Sequence, residues 1–533
     1  MPKRAIDYTL YLVTGRELLP PGKDYYESLE ESLKGGVTLV QVREKETDTG
    51  EFIEIARRTK EICDKYDVPV LINDRIDVHL AAGTAGIHVG QTDAPLDLAR
   101  KMIGPDAIIG QSVRSVEEAE KAIQAGADYV GIGAVWHTTS KDLKGRKGLG
   151  PEGVGEILDL LAGTGIQAVA IGGIHLPNLP QLLHGSTSPK HGNALDGIAV
   201  ISDIVGSADP ARAAVELRTV LDSFKRGRQN PTKGVFRTEE DLDVRQMLDR
   251  VGTLLEVTKK ETPLVNQITN NVVINDSANA TLAVGASPIM ATHPQDVQDL
   301  SKAIGSLLIN FGTIKDKDGM LVAGRAANVN RKPIVFDPVA VGATEYRRTS
   351  SKELLDHWHP AVIKGNAAEI GALAKSTEVA SRGVDSAGSG FADPADVVKR
   401  LARARACIVV LTGVSDYISD GNIVLKASNG HELLGVITGS GCMTGTLIAT
   451  FCASARIHHL ATQQAYEDDS RLVQGDMFIG ALAGVLALNI AAEIAAARSD
   501  VKGPGTFRAA LLDELYNLTV EEVKKRANLE IVT

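Results

Sequence analysis

The sequence predicts two α/β domains in tandem: a closed (β/α)₈ barrel, then a three-layer α/β/α domain with a mainly parallel sheet. The first observation is that short apolar, β-rich runs recur eight times before residue 205, with amphipathic segments between most of them. The second is a polar stretch over 223–240, broken by glycine and proline, that is typical of a linker. The third is a new alternation of apolar strands and alanine-rich helices after it. We therefore expect domains over 1–228 and 241–533, joined by a linker at 229–240.

Eight apolar runs predict the strands of the barrel. In chain order they are YTLYLVT (8–14), VTLVQVRE (37–44), VPVLIND (68–74), GIHVGQ (86–91), IIGQSV (108–113), YVGIGAVW (129–136), AVAIGGI (168–174) and GIAVISDI (197–204). Intervening stretches such as GEFIEIARRTKEICDKY have apolar residues at helical spacing. Because each strand leads into a helix or a short crossover, we expect a closed barrel, with an open doubly wound sheet as the alternative. A barrel would place its chemistry at the carboxyl ends of the strands.

The second half carries a different set of elements. DLDVRQMLDRVGTLLEVTKK predicts a helix, whereas SLLINFG, PIVFDPV, AVIKGN and CIVVLTG predict buried strands. DYISDGNIVL predicts a hairpin around 420–422. Residues 478–497 are long and apolar enough for a membrane span, but they are rich in Ala and Gly and contain Asn489 and Glu493. We interpret them as a buried packing helix.

Composition narrows the classes of function. The chain is 44% hydrophobic and 23% charged, as soluble globular proteins are, with a net charge of −10. Nucleic-acid binders usually present a basic face, so this charge favours small-molecule chemistry without a nucleic-acid partner. The four cysteines are scattered without CxxC spacing, which argues against a disulfide framework or a zinc site. Because the amino-terminal segment has no secretory apolar run, we expect a cytoplasmic protein with no membrane partner.

Charged side chains collect at the predicted strand ends of the barrel. Strand alternation puts Gln41, Arg43 and Lys45 on one side, which makes a donor-rich edge suited to a polyphosphate. Asp74 ends the third strand and Asp93 follows the fourth. Mg²⁺ prefers oxygen ligands and usually shares substrate phosphate, so two carboxylates beside cations predict a metal that bridges a pyrophosphate.

Further candidate residues, which offer polar side chains or backbone amides, lie at these and later strand ends. They are Asn73, Ser112, Thr138, Thr139, Ser140, Lys141, Gly173, Ile201 and Ser202. Each alone is more often a cap or a surface contact than a ligand-binding residue. Their recurrence at successive strand ends instead predicts a rim that holds two phosphorylated ligands, the second at the loops after strands 7 and 8.

The motifs QVREK, LINDR, GIHVGQTD, TTSKD and AIGGI together resemble thiamine-phosphate synthase over roughly 5–225. By this resemblance, aminopyrimidine diphosphate would be held by Gln41, Arg43, Lys45, Asn73, Ser112 and Lys141. The thiazole phosphate would be bound by Thr138, Thr139, Ser140, Gly173, Ile201 and Ser202. Asp74 and Asp93 would bind Mg²⁺. The implied reaction is dissociative: pyrophosphate leaves, and the thiazole nitrogen attacks the pyrimidine-methyl cation, with no protein nucleophile.

From residue 263, PLVNQITNNVVINDSANATLAVGASPIM, DPVAVGAT, IKGNAAEI and ITGSGC resemble hydroxyethylthiazole kinase, a branch of the ribokinase-like fold. The resemblance implies Lys364 and Thr412 at the ATP phosphates, Glu369 and Asp337 organising Mg²⁺, and Met290 and Gly439 lining the thiazole pocket. ATP would be the phosphoryl donor.

The glycine-rich turn ITGSGCMTGT can hold an anion on backbone amides at the start of a helix. Thr438 to Gly441 would then surround the transferring phosphoryl group, and Cys442 would face the attacking hydroxyl, where ribokinase relatives usually carry aspartate. Helix amides lower the pKa of a thiol, but a loose transition state requires little base strength. We predict that Cys442 is a weak base or an alcohol-positioning group, with a space-filling buried thiol as the alternative.

Together the halves resemble the fungal-type bifunctional thiamine enzymes, in which the kinase product is a substrate of the synthase. The resemblance also implies a homo-oligomer built on trimers. Two alternatives stay open: a kinase half that acts on another vitamin or a pyrimidine, and one half that is a non-catalytic thiazole-phosphate sensor or oligomerisation scaffold.

Overall fold

Eight parallel strands close into a barrel in the first half of the chain, because each strand pairs with the next and β8 pairs with β1. The strands are β1 (Leu10–Val13), β2 (Leu39–Val42), β3 (Val70–Asn73), β4 (Gly86–Val89), β5 (Ile108–Val113), β6 (Tyr129–Gly133), β7 (Gln167–Ile171) and β8 (Gly197–Val200). The closure confirms the predicted (β/α)₈ barrel and rules out the open sheet.

The computed structural model describes residues 5–138, 145, 147–188, 190–229, 243–376, 378, 380–382, 385–387, 390–462 and 472–532. The chain divides into two compact units, and the long continuous stretch that forms most of the first ends at Gln229. The predicted linker at 229–240 lies outside the described residues apart from Gln229, which ends a helix. The polar stretch from residue 223 therefore begins as helix, and the linker bounds stay a prediction.

Helices connect and surround the barrel strands. They are α1 (Tyr25–Lys34), α2 (Thr49–Asp64), α3 (Ile76–Ala82), α4 (Leu96–Ile103), α5 (Val116–Ala125), α6 (Gly150–Leu160), α7 (Leu179–Gly185), α8 (Ser202–Val205) and α9 (Pro210–Gln229). Local chemistry sets several of their starts: Asp24 accepts hydrogen bonds from the amides of Tyr26 and Glu27, and Ser115 accepts one from Glu118. These caps satisfy amides that have no partner within the helix.

Strand alternation gives the barrel two separate cores. On β1, Leu10 and Leu12 pack outward against the helices, whereas Tyr11 and Val13 point into the barrel. Tyr129 joins them from β6, and Leu39 from β2. Gln41, two residues after Leu39, therefore faces the same interior, as the predicted alternation requires.

The second unit is built on a sheet that, over the described residues, has nine strands in the order β10-β9-β11-β12-β13-β16-β17-β18-β19. The strands of this half are β9 (Leu264–Ile268), β10 (Ser287–Ile289), β11 (Ser306–Asn310), β12 (Ile334–Asp337), β13 (Val362–Gly365), β14 (Ala380–Arg382), β15 (Asp385–Ala387), β16 (Ile408–Leu411), β17 (Asp416–Ser419), β18 (Val424–Ala427) and β19 (Leu529–Val532). The pairs from β10 to β16 are parallel and the last three are antiparallel. The β17–β18 hairpin confirms the turn predicted at 420–422.

Helices cover both faces of this sheet. They are α10 (Val244–Glu261), α11 (Ile274–Ala283), α12 (Pro294–Leu300), α13 (Lys317–Val329), α14 (Glu345–Leu355), α15 (Ala367–Leu373), α16 (Pro394–Arg405), α17 (Ser440–Thr462), α18 (Met477–Ala496), α19 (Pro504–Asn517) and α20 (Val520–Arg526). On β11, Leu308 packs with α10, α17 and α18, whereas Leu307 and Ile309 pack on the opposite face with α12, α13 and α16. The predicted three-layer arrangement is confirmed.

Among the described helices, α18 alone is long and apolar enough to cross a membrane by length and composition, and 83% of its most apolar stretch is buried inside the structure. Core helices of soluble proteins pass the same test. A Cβ added to Gly484 would lie 2.5 Å from the amide nitrogen of Ile448 in α17, and one added to Gly480 would lie 3.0 Å from Cα of Cys452, so both glycines allow α18 to pack closely on α17. The segment is thus packed in the core, as predicted.

Candidate active sites

Two carboxylates lie at the rim of the barrel. Asp74 directly follows β3 in a left-handed conformation (φ 64°), and its amide donates to the carbonyl of His88 (2.8 Å). Oδ2 of Asp93 accepts a hydrogen bond from the amide of Gly90 (2.7 Å). Partial burial, then the charge of Asp93, raises the pKa of Asp74. The charge of Asp93 therefore acts on Asp74 and disfavours its ionised form.

The predicted cationic edge runs from the barrel interior to solvent. Gln41 is buried, Arg43 is half-buried and Lys45 is exposed. The amide of Arg43 donates to Oγ1 of Thr14 (2.9 Å), which ties the strand end to β1. Its guanidinium lies 3.8 Å from Glu17. The alternation predicted for these three residues is thus consistent with an edge that reaches from the interior to the rim.

A chain of hydrogen bonds crosses the barrel interior beneath this rim. Nε2 of Gln41 donates to the Tyr11 hydroxyl (2.6 Å), which lies 2.8 Å from the Tyr129 hydroxyl. The Tyr129 hydroxyl is 2.8 Å from Nδ1 of His88, whose Nε2 is 2.9 Å from Oγ of Ser112. Sequence reasoning found both ends of this chain but missed its three central members. The sequence does contain a sign of them, because tyrosine and histidine side chains that face a barrel interior need hydrogen-bond partners.

The remaining predicted rim residues are only partly described. Thr139, Ser140 and Lys141 lie outside the described residues, whereas Asn73 and Thr138 are half-buried. Gly173 has φ 69°, and a Cβ there would lie 2.6 Å from the carbonyl oxygen of His137. The loops after β6 and β7 therefore touch, as a shared phosphate site would need. Ile201 and Ser202 follow β8 at the start of α8.

The second site surrounds Cys442 in the first turn of α17. Its Sγ lies 3.3 Å from Nδ2 of Asn310 and 3.6 Å from Nδ2 of Asn270. Asn310 also donates to Oδ2 of Asp337 (2.8 Å) and accepts from Asn270 (2.9 Å). Both asparagines occur in the motifs NQITNN and LLINFG but were not predicted as site residues. They fix the thiol and the carboxylate in one hydrogen-bonded cluster.

A buried ion pair completes this cluster. Nζ of Lys364 lies 3.4 Å from Oδ1 of Asp337, and both side chains are at most 5% exposed. A Cβ added to Gly441 would be 3.3 Å from Nζ of Lys364, so the ammonium adjoins the glycine-rich turn. Burial alone would lower the pKa of Lys364, but Asp337, Glu369 and Cys442 together raise it. A stable positive charge thus stands beside the predicted anion hole.

The thiol at 442 is less acidic than the sequence led us to expect. Burial, followed by the charge of Asp337, raises the pKa of Cys442 to about 11, although Lys364 and the two asparagines act in the opposite direction. The pKa of Cys442 is therefore raised and not lowered as expected, because burial and the neighbouring carboxylate outweigh Lys364 and the two asparagines.

Glu369 is held by backbone amides. Oε1 accepts from Ala340 (2.9 Å) and Oε2 from Asn366 (2.8 Å), while the Asn366 side chain caps α15 in return. Burial, opposed by Lys364 and reinforced by Asp337, raises the pKa of Glu369 to about 6. With both oxygens already bonded, Glu369 is suited to contact a metal through water.

Three further predicted residues occupy separate positions. The amide of Thr412 donates to the carbonyl of Gly365 (2.9 Å), next to Lys364 on β13. Gly439 has φ 85°, and a Cβ would lie 2.4 Å from Val273. Met290 is half-buried after the edge strand β10, three strands from β12 in the sheet order.

Each half of the chain matches a different protein family. The model of the "Hydroxyethylthiazole kinase family" matches residues 255–521, and that of "Thiamine monophosphate synthase" matches residues 10–204. "Hydroxyethylthiazole kinase" of Thermoanaerobacter pseudethanolicus is 40% identical over 52% of this chain and 98% of its own length. The ribokinase-like fold predicted for the second half agrees with this match.

Two relatives span both halves. "Thiamine biosynthetic bifunctional enzyme" of Saccharomyces cerevisiae is 35% identical over 97% of this chain and 96% of its own. "Probable thiamine biosynthetic bifunctional enzyme" of Schizosaccharomyces pombe is 40% identical over 99% of each chain. These matches confirm the predicted resemblance and give no support to a half that serves only as a sensor or scaffold. The chain belongs to the family of thiamine biosynthetic bifunctional enzymes.

Proposed function

We propose that the two halves catalyse consecutive transferase reactions. The second half transfers the γ-phosphoryl group of ATP to the hydroxyl of 4-methyl-5-(2-hydroxyethyl)thiazole, releasing ADP and a proton. The first half joins this phosphate to 4-amino-2-methyl-5-pyrimidinylmethyl diphosphate, giving thiamine phosphate and pyrophosphate. The observation that carries the proposal is the convergence, in each half, of carboxylates, donors and a glycine-rich turn at the carboxyl ends of parallel strands.

In the barrel, catalysis depends mainly on side chains that stabilise the negative charge of the departing pyrophosphate. The donors proposed for the pyrimidine diphosphate are Gln41, Arg43, Lys45, Asn73, Ser112 and Lys141. The groups proposed for the thiazole phosphate are Thr138, Thr139, Ser140, Gly173, Ile201 and Ser202. Cationic and amide donors become more favourable as negative charge develops on the leaving group, so this arrangement lowers the barrier without a protein nucleophile.

The donor set at Asp74 and Asp93 suits Mg²⁺ that is shared with substrate. Within the described residues, no group of three or more His, Cys, Asp or Glu side chains could hold a metal by itself. Burial and then the charge of Asp93 raise the pKa of Asp74, and a divalent cation bound by the two carboxylates would oppose both effects. Mg²⁺, when bound, neutralises charge on the diphosphate. Substrate oxygens and water would then supply its other ligands.

In the kinase half, Lys364 and the amides of Thr438 to Gly441 surround the transferring phosphoryl group. Lys364 supplies a point charge, which its pairing with Asp337 keeps in place. Because the pKa of Cys442 is about 11, the group at this position is the neutral thiol at pH 7. This favours the positioning role of Cys442 over the role of a base.

The same half would hold a second Mg²⁺ and its two substrates. Glu369 would orient metal-bound water, with Asp337 assisting through its contacts to Asn310 and Lys364. Thr412 would contact ATP phosphate beside β13. Met290 and Gly439 would line the thiazole pocket.

The assembly is proposed to be a homo-oligomer built on trimers, working in the cytoplasm. Apolar side chains at the start of α11 and along it support self-association. Val272 is 68% exposed and Leu282 is 56% exposed, and Val272 directly precedes Val273, which packs against Gly439. Apolar surface beside a candidate site is typical of a contact between subunits.

The proposal is tested by reconstituting each reaction with the full chain. Mg-ATP and hydroxyethylthiazole should give ADP in stoichiometric amounts, and addition of the pyrimidine diphosphate should then give thiamine phosphate and pyrophosphate. A pyrimidine alcohol or pyridoxal in place of the thiazole tests the rival kinase specificity. ADP formation only with these rivals would overturn the kinase assignment, and thiazole binding without turnover would restore the scaffold alternative.

A further inference from the structure

The hydrogen-bond chain inside the barrel links two residues assigned to the same ligand. It runs from Gln41 through Tyr11, Tyr129 and His88 to Ser112, with successive distances between 2.6 and 2.9 Å. Tyr11 and Tyr129 are at most 1% exposed, so water does not substitute for a missing partner. The orientation of each proton is therefore set by the neighbouring groups.

With the Gln41 amide as found, one arrangement gives every proton of the chain an acceptor. Nε2 of Gln41 donates to Tyr11, so the Tyr11 hydroxyl donates to Tyr129, and Tyr129 donates to Nδ1 of His88. With His88 neutral, its proton lies on Nε2 and is donated to Oγ of Ser112. The proton of Ser112 remains for a ligand, as does the carbonyl oxygen of Gln41.

If every hydrogen bond in this chain reversed its direction, the groups that Gln41 and Ser112 offer to a ligand would both change. If the Gln41 amide turned over, its oxygen would accept from Tyr11, and each later bond would reverse in sequence until Ser112 donated to His88. Gln41 would then present N–H groups to the ligand, and Ser112 would present only lone pairs. A mixed state would leave a buried phenol proton or lone pair unpaired, which is costly in a dry interior.

We propose that this chain makes the barrel selective for an amino group over an oxo group on the pyrimidine ring, with Tyr11, Tyr129 and His88 as positioning residues. The inference rests on the proposed binding of the aminopyrimidine by Gln41 and Ser112. An exocyclic amine donates to the Gln41 oxygen, while a ring nitrogen or phosphate oxygen accepts from Ser112. An oxo analogue would need Gln41 turned over, and hence the whole chain reversed.

Hydroxyl deletion within the chain provides the test. The coupling rate at subsaturating substrate would be measured for the amino diphosphate and its 4-oxo analogue in the full-length wild type, Tyr129→Phe and Tyr11→Phe. Tyr8→Phe is the matched control, since its ring lies 4.9 Å from that of Tyr129 in the same interior but its hydroxyl is outside the chain. Thermal melting of each variant would establish that the protein remains folded.

We expect the amino-to-oxo selectivity to fall about tenfold or more in Tyr129→Phe, the effect of one neutral hydrogen bond, and to stay unchanged in Tyr8→Phe. The Tyr11→Phe/Tyr129→Phe double variant should lose no more selectivity than either single variant, because one break already uncouples the ends. Equal loss of both rates, with the ratio intact, would show a merely structural role and overturn the inference. Absence of any coupling by the wild type would instead refute the proposed function.

Discussion

The pH dependence of the kinase reaction distinguishes two roles for the thiol at 442. With a pKa of about 11 for Cys442, the thiolate is about 10⁻⁴ of the population at pH 7, a deficit of about 5.4 kcal/mol. A mechanism that needs the thiolate as base would therefore gain about tenfold in kcat for each pH unit, or about 100-fold between pH 7 and 9. A thiol that only positions the alcohol would give a flat profile over this range.

We expect the flat profile. The acid side should show a fall through pH 6, because the pKa of Glu369 is raised to about 6 and protonation removes the charge that would order metal-bound water. Above this value the carboxylate stays ionised, so activity is retained as the pH rises. Lys364 keeps its charge over the same interval, because its pKa is raised above the ordinary lysine value.

Substitutions of Cys442 distinguish the contribution of its hydrogen bonds from that of its acidity. Cys442→Ser keeps a small hydrogen-bonding group that cannot ionise in this range, so kcat should stay within about threefold; Cys442→Ala should lose about tenfold, the effect of one hydrogen bond. Cys407→Ser, at a buried packing cysteine of the same unit, is the control. Steady-state ADP release would be followed from pH 5 to 9. A rise of about 100-fold from pH 7 to 9 that disappears in Cys442→Ser would refute the positioning role.

Three further predictions concern other features of the two sites. Asp74→Asn should lower thiamine phosphate formation by about 100-fold or more while ADP formation persists, whereas exposed Asp77→Asn should change neither rate. Gly173→Ala should lower the melting temperature more than Gly163→Ala: both glycines have positive φ, but only at Gly173 does the new Cβ meet backbone, at 2.6 Å. Gly441→Ala should reduce kcat for ADP formation with little change in melting temperature, because its Cβ would lie 3.3 Å from Nζ of Lys364. A drop in stability without a loss of turnover would contradict that account.

The fold was predictable because its signal is carried by short, repeated patterns. Apolar runs such as those at 37–44 and 129–136 became β2 and β6, and the alternation at Leu39 and Gln41 placed both side chains in the barrel interior. Helix ends were harder to predict. The polar composition after residue 223 indicated a linker, yet α9 continues to Gln229, because charged residues propagate a helix as well as apolar ones do.

Site residues were predictable only where they lie within a recognisable sequence motif. Asp74, Asp93 and Cys442 lie within recognisable runs, whereas Asn270 and Asn310 act through contacts across 132 to 172 positions of sequence. No local pattern reveals that Asn310 contacts both a thiol and a carboxylate. The error about the acidity of Cys442 has the same origin: a helix start is visible in sequence, but the burial and the Asp337 charge that oppose it arise from tertiary packing.

Both proposed reactions break a bond to a phosphate oxygen or to a diphosphate leaving group, so both need stabilised negative charge more than a strong base. The two units meet this need differently. The kinase cluster buries Lys364 against Asp337, which Asn310 holds by a hydrogen bond, and so keeps a positive charge in a dry site. The barrel leaves Arg43 half-buried and Lys45 exposed at its rim, where a diphosphate and its metal can enter together. A neutral thiol at 442 is consistent with this division, since a second carboxylate there would add charge beside Asp337 and weaken the field that Lys364 supplies.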